Sequence, residues 1–148
     1  MLVNDGLTRD SSGKRTDKTG IRDLTFNNWH RKYLSRRCYA TDIDFYEYRY
    51  KDGDIIPKAF LEVKQSHVRQ KKYIASSNVK AVYELARKSG LRFCIVLYDI
   101  VDEEQLICDF WVWEIKNLSD IDSYEEDKFH EFFKHYNNDE FREFLENL

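Results

Sequence analysis

Apolar positions along this chain change their period from helical to alternating and back, and the changes mark out its elements. Phe26, Trp29 and Tyr33 recur at helical spacing behind Thr25 or Asn27 as caps, predicting a short helix over residues 25–34. Two stretches then alternate as strands, Thr41-Asp42-Ile43-Asp44-Phe45 and Phe60-Leu61-Glu62-Val63-Lys64, within strands over roughly 40–50 and 55–64. Lys51-Asp52-Gly53-Asp54 supplies their turn, and Pro57 stands near the start of the second strand, where a missing N–H is tolerated. Ser76-Ser77-Asn78 offers caps for a helix with the stripe Val79, Val82, Leu85 and Ala86, ended by Gly90. Leu91–Ile100 is a continuous apolar run suited to a central strand, and Leu106–Ile115 a further, aromatic-rich one. Beyond Leu118, Tyr124, Phe129, Phe132, Phe133, Tyr136, Phe141, Phe144 and Leu145 recur among acids. Their spacing predicts two amphipathic helices, broken at Asp139, with the aromatics in the core. The class is α/β: a mixed central sheet flanked by helices, with extra helices at the C-terminal end.

The hairpin carries the candidate chemistry. Side chains two apart on a strand share a face, so Glu62 and Lys64 point together and Val63 points away. A hairpin can bring Asp44 beside them. Two carboxylates and an ammonium converging at strand ends are costly unless compensated, and a divalent cation is the usual compensation. That arrangement suggests metal-assisted phosphodiester chemistry. Tyr46, Tyr48 and Tyr50 alternate on the side of Asp44. They could stack against bases, but half-buried or core strand aromatics are the commoner case and the one expected here.

Charge changes the picture. Residues 1–101 hold 20 Lys/Arg against 12 Asp/Glu, and residues 102–148 hold 4 against 15. The overall charge of −3 therefore conceals a basic part that carries the candidate site, which suits a polyanionic partner. Residues 1–24 read as a flexible basic arm, and 25–148 as a single domain with its core at about 25–117 and acidic helices over 118–148. Two further triplets of the same form occur, Glu114-Ile115-Lys116 and Glu126-Asp127-Lys128. The last has no strand context. The other has Asp99 upstream but acidic surroundings that repel a polyanion.

Several function classes drop out. GxGxxG, GxxxxGK[ST] and GxSxG are all absent, which argues against nucleotide loops and serine hydrolases. His130 and His135 are five apart, pointing to different faces of a helix, and His30 reads as a surface residue. No apolar run of 18 residues and no secretory h-region are found, so no membrane partner is expected. Cys38, Cys94 and Cys108 form no CxxC; Cys94 and Cys108 read as buried thiols, which points to a reducing, cytoplasmic location.

Asp44, a hairpin, then Glu62-Val63-Lys64 resembles the signature of the PD-(D/E)xK nuclease superfamily, which includes restriction endonucleases and Holliday junction resolvases. The resemblance covers roughly residues 25–115, with Ile43 where the family has its leading Pro. It implies a restriction endonuclease-like αβββαβ core and a Mg²⁺-dependent deoxyribonuclease, with Mn²⁺ able to substitute. Under it, Asp44, Glu62 and the Val63 carbonyl would hold the metal, with Asp42 a rival or additional ligand, and Lys64 would act on the attacking water. DNA would be held by Arg31, Lys32, Arg36 and Arg37, by Gln65, and by Arg69, Lys71 and Lys72. Many small relatives act as homodimers. Some place an acid on the preceding helix; none stands between Thr25 and Arg37 here. The exonuclease-type QxxxY is not matched, because Gln70 and Tyr73 are one residue too close. The competing reading is a non-catalytic nucleic-acid-binding or protein-interaction domain on the same fold.

Overall fold

The computed structural model describes residues 23–148. The expected basic arm over 1–24 therefore lies almost wholly outside the described residues. The chain divides into two units, Met1–Ala40 and Thr41–Leu148. In the first, α1 (Thr25–Tyr33) is an amphipathic helix. Phe26 and Trp29 stack with ring centroids 5.8 Å apart, and Trp29 meets Tyr33 at 5.7 Å.

The second unit is built on one five-stranded mixed sheet, in the order β1 (Phe45–Lys51), β2 (Asp54–Gln65), β3 (Arg92–Asp102), β4 (Ile107–Glu114) and β5 (Lys134–Tyr136). Only β2 and β3 are parallel; the other neighbours are antiparallel. The β1–β2 turn holds Asp52 at φ 51° and Gly53 at φ 85°, the two consecutive positive values of a type I′ hairpin, whose twist matches that of the strands. Pro57 sits inside β2, opposite Tyr48, where the register slips. Pairing with β3 begins only at Ala59, so the proline interrupts no central ladder. Residues 41–44, expected as strand, precede β1 without regular structure.

The parallel β2–β3 pair needs a crossover, supplied by α2 (Lys71–Ile74) and α3 (Ser77–Ser89). Ser76 Oγ accepts from the Val79 N–H at 3.3 Å to start α3, and Gly90 at φ 69° ends it. Val79, Val82 and Ala86 are buried as expected, but Leu85 is exposed and Tyr83 takes its place inside. Tyr83 can do so because its hydroxyl donates to the Lys116 carbonyl at 3.1 Å.

Strand parity divides the core between the two faces of the sheet. Phe60, Phe93, Ile95 and Leu97 pack under α3 with Ile74, Tyr124, Phe129 and Phe133. Ala59, Leu61, Cys94, Val96 and Val112 face the other way, against Phe141 of α6 (Asn138–Glu146). Burial pushes the Cys94 thiol up to about 12, and the three cysteines are unpaired. The acidic tail is core-forming, but not as two helices. It runs through α4 (Leu118–Asp122), a 3-10 turn, α5 (Phe129–Phe132), edge strand β5 and α6. Aromatics spaced for a helix also suit short segments that pack rings at every turn. The break falls at Asn137, which forms a capping box with Glu140. Consequently His130 and His135 share no helix. Among the described residues, no helix is long and apolar enough to cross a membrane.

Candidate active site

Asp44 is the last residue before β1, and pairing of Phe45 with Leu61 sets it opposite Glu62 near the C-terminal end of β2. Its Oδ2 accepts from the Val63 N–H at 2.9 Å. The N–H and C=O of one strand residue leave on the same edge, so the Val63 carbonyl also points to the Asp44 side. Parity then puts Glu62 and Lys64 on the α3 face, continuing the row begun by buried Phe60. Lys64 Nζ lies 3.0 Å from Glu62 Oε1, with the two side chains only 19% and 13% exposed.

Electrostatics mark Glu62. Burial raises its pKa; the hydrogen bond and charge of Lys64 oppose the rise, and the Asp44 charge adds to it. The carboxylate is thus held where ionisation costs, with a second carboxylate and a carbonyl converging nearby. A donor set of hard oxygens suits Mg²⁺, which takes one or two carboxylates and keeps several waters. Among the described residues, no three His, Cys, Asp or Glu side chains converge as a metal-holding group. Two carboxylates and a backbone carbonyl are what this site offers.

Asp42 lies in the irregular segment before β1, so the strand parity with Asp44 expected for it does not exist. Gln65 follows Ala59, Leu61 and Val63 in parity and lies on the face opposite Glu62 and Lys64. Arg69, whose guanidinium lies 4.9 Å from the Phe129 ring centre, belongs to the segment leading into α2; Lys71 and Lys72 open that helix and are exposed. Tyr124 fastens the segment by donating to the Arg69 carbonyl at 2.7 Å, and burial pushes its phenol up to about 12. Arg31 and Lys32 lie in the last turn of α1, and Arg36 and Arg37 just beyond it, all in the first unit.

The rival triplet is taken apart by the register. Glu114 pairs with Cys94 and Asp99 with Asp109, five residues farther along β3, roughly 16 Å at strand rise. Parity also sets them on opposite faces. Glu114 is engaged by Arg92 and by Lys116. Burial pushes the Glu114 carboxyl up, but hydrogen bonds from Lys116 and Arg92 outweigh this and leave its pKa below the ordinary value.

Asp99 instead belongs beside the first triplet's end of the sheet. It stands two residues past Leu97, the partner of Lys64, and takes a hydrogen bond from Ser66 Oγ. Across the β3–β4 ladder Asp99 faces Asp109, which in turn meets His135 of β5 at 3.2 Å. Sequence reasoning missed this pair of facing carboxylates, each with its own partner. Only the strand register reveals it, and no short motif encodes a register. The Tyr46, Tyr48 and Tyr50 stripe, expected half-buried or in the core, is 43%, 41% and 70% exposed. Edge strand β1 has no neighbour on its outer side within the sheet, and no buried cluster includes these rings.

Compared with family models, curated proteins and solved structures, the chain matches none.

Proposed function

We propose that this protein is a metal-dependent DNA nuclease that hydrolyses phosphodiesters endonucleolytically through Asp44, Glu62 and Lys64. The observation that carries the reading is the convergence of the three at one end of β2, with Asp44 bonded to the backbone between the other two. The alternation of hairpin, crossover helix and parallel strand also suits a restriction endonuclease-like core. Among the described residues two strands precede the crossover, one fewer than that core carries. The electrostatic division of the chain supports a polyanionic substrate.

In this reading Asp44, Glu62 and the Val63 carbonyl would hold Mg²⁺, which when bound supplies Lewis-acid polarisation of a phosphate oxygen and acidification of water. Lys64 does the rest of the local work. Its ammonium lies beside Glu62, where it can position the attacking water and offset charge gathering on the phosphoryl oxygens. Low exposure of both side chains strengthens that interaction, because little water screens it.

The deciding experiment incubates the protein with plasmid, linear duplex, single-stranded and branched DNA, with Mg²⁺, Mn²⁺ or EDTA. The expected result is metal-dependent cleavage by the parent, lost in Glu62→Ala and Lys64→Ala variants that still fold. Equal cutting by parent and variants defeats the catalytic assignment. Binding without cleavage in either metal points to the non-catalytic reading.

A further inference from the structure

We propose that Tyr46, Tyr48 and Tyr50 form a stacking track that delivers an unpaired nucleic-acid strand to Asp44, Glu62 and Lys64. The proposal rests on the nuclease reading of that site and specifies the form of its substrate.

Position is the first argument. Alternation on β1 puts the three tyrosines on one face, and pairing of Tyr46 with Phe60 fixes it as the face of Glu62 and Lys64. Asp44 stands two residues before Tyr46. The row of rings therefore runs directly away from the candidate catalytic carboxylates.

The second argument is what the rings do to one another. Tyr46 lies 5.3 Å from the Phe60 ring and 5.7 Å from Tyr48, which lies 5.5 Å from Tyr50, all between centroids. Each ring is propped by the next, so little rotamer freedom remains to be lost on binding. Yet all three remain substantially exposed, in a protein that buries Tyr83, Tyr124, Phe93, Phe129 and Phe133. Tyr46 also lines an open groove of about 410 Å³ with Pro57, Phe60, Ser89 and Leu91. Exposed Lys88 precedes Ser89 at the groove wall and gives the groove a basic residue.

The chemistry selects an unpaired strand. A duplex hides its base faces in its own stack and offers aromatic rings only grooves and phosphates. Unpaired bases present both faces, and stacking on aromatic side chains is their usual mode of capture. Alternate side chains on a strand are rooted about 7 Å apart, whereas stacked nucleotides repeat at about 3.4 Å along each duplex strand. The ladder therefore fits a strand with splayed bases and not a continuous stack.

The test measures binding in EDTA, with oligonucleotide integrity verified on denaturing gels, using labelled single strands and blunt duplexes of one sequence. Parent, Tyr48→Ala, Tyr50→Ala and Tyr48→Phe proteins are compared after melting curves establish that each folds. The parent is expected to prefer the single strand, and each alanine variant to bind it about tenfold or more weakly, with duplex affinity unchanged. Tyr48→Phe, which keeps the π-face, should bind like the parent. Equal affinity for both DNA forms, or alanine variants that bind single strands normally, overturns the track. So does a shift in sedimentation on Tyr50→Ala without a change in DNA affinity, which assigns the stripe to pairing with a second copy. Cleavage by the parent with tyrosine-independent binding defeats only the track. Tyrosine-dependent binding with no cleavage in Mg²⁺ defeats only the nuclease reading.

Discussion

Asp44 and Val63, 19 positions apart, are joined by a 2.9 Å hydrogen bond from the Val63 N–H to the Asp44 carboxylate. This bond lies beyond the last β1–β2 ladder pair, Phe45 with Leu61, and holds a carboxylate near the end of β2 where pairing with β1 has stopped while pairing with β3 continues. It gives Asp44 a structural task distinct from its charge. The two can be separated, because an Asn side chain still offers an oxygen to the Val63 N–H. Asp44→Asn should therefore fold with nearly parental stability and lose metal-dependent cleavage by about a hundredfold or more, as expected when one ligand is removed. Asp42→Asn, outside the strand, should lose less. Rate measurements on the two variants, beside a Mn²⁺ soak of crystals, check both. Metal coordinated by Asp42 and not by Asp44 reverses the assignment.

Glu62 makes stability depend on pH in a defined direction. Burial raises its folded pKa above the ordinary value of 4.5, so the folded state retains the proton longer than the unfolded state does. Its contribution is favourable at low pH and falls as pH rises from the unfolded value through the folded one, then stays flat. Glu62→Gln should accordingly raise the melting temperature at about pH 7–8 and leave it unchanged near about pH 4. A divalent cation should raise the parent's melting temperature at neutral pH more than that of Glu62→Gln, a readout independent of cleavage. Identical metal responses would remove Glu62 from the ligand set.

The strands and the central helix were legible because their signals are local. Asp52-Gly53 demands the positive φ values of a type I′ turn, Ser76 and Gly90 bracket α3, and the apolar run of β3 is buried from Phe93 to Leu97. What the chain does not reveal is pairing. Asp99 looked like the partner of Glu114 because it lies a suitable distance upstream, yet the register sends them to opposite faces and ends of the sheet. The tail misled for a related reason. Phe129, Phe132, Phe133 and Tyr136 satisfy a helical period, but β5 interrupts them because edge pairing with β4 competes with helix continuation. Tyr46, Tyr48 and Tyr50 misled in the opposite sense. Alternation says which rings share a face, but not whether anything covers it.

The acidic tail should be indispensable for folding, although it carries no positive field. Tyr124, Phe129 and Phe133 are almost fully buried against β3 and α3 residues, and the Tyr124 hydroxyl holds the Arg69 carbonyl. Phe129→Ala should cost roughly 3–5 kcal/mol, since it opens a cavity and removes the ring under Arg69. Tyr124→Phe should cost about 1–2 kcal/mol by leaving a carbonyl without its donor. Chains ending at residue 117 should not fold. Denaturant titrations check each value, and a cooperative transition in the truncated chain would show that the tail is an appendage.

DNA affinity should reside in the basic segments and fall steeply with salt, because every phosphate neutralised by the protein releases condensed counterions. Lys71 and Lys72 are the useful probes: both are exposed and sit in the first turn of α2, and the ring beside Lys72 is the exposed Tyr73, whereas Arg69 packs over the buried Phe129. Replacing either lysine by Gln should reduce the slope of log K against log salt by about 0.9 on duplex DNA and about 0.7 on a single strand for each phosphate no longer neutralised. Removing Arg31, Lys32, Arg36 or Arg37 tests the first unit in the same way. Neutralising Glu125, Glu126 and Asp127, all exposed in the tail, should leave the slope unchanged or strengthen binding by reducing repulsion. The ratio between duplex and single-strand slopes is informative in itself, because a track that works by base stacking adds affinity without adding salt dependence. Tyr50→Ala should therefore shift the single-strand line downward without tilting it, and the Lys72 variant should tilt it. A basic-segment variant with the parental slope, beside a tail variant whose slope falls, would move DNA binding to the acidic part and leave the nuclease reading without electrostatic support.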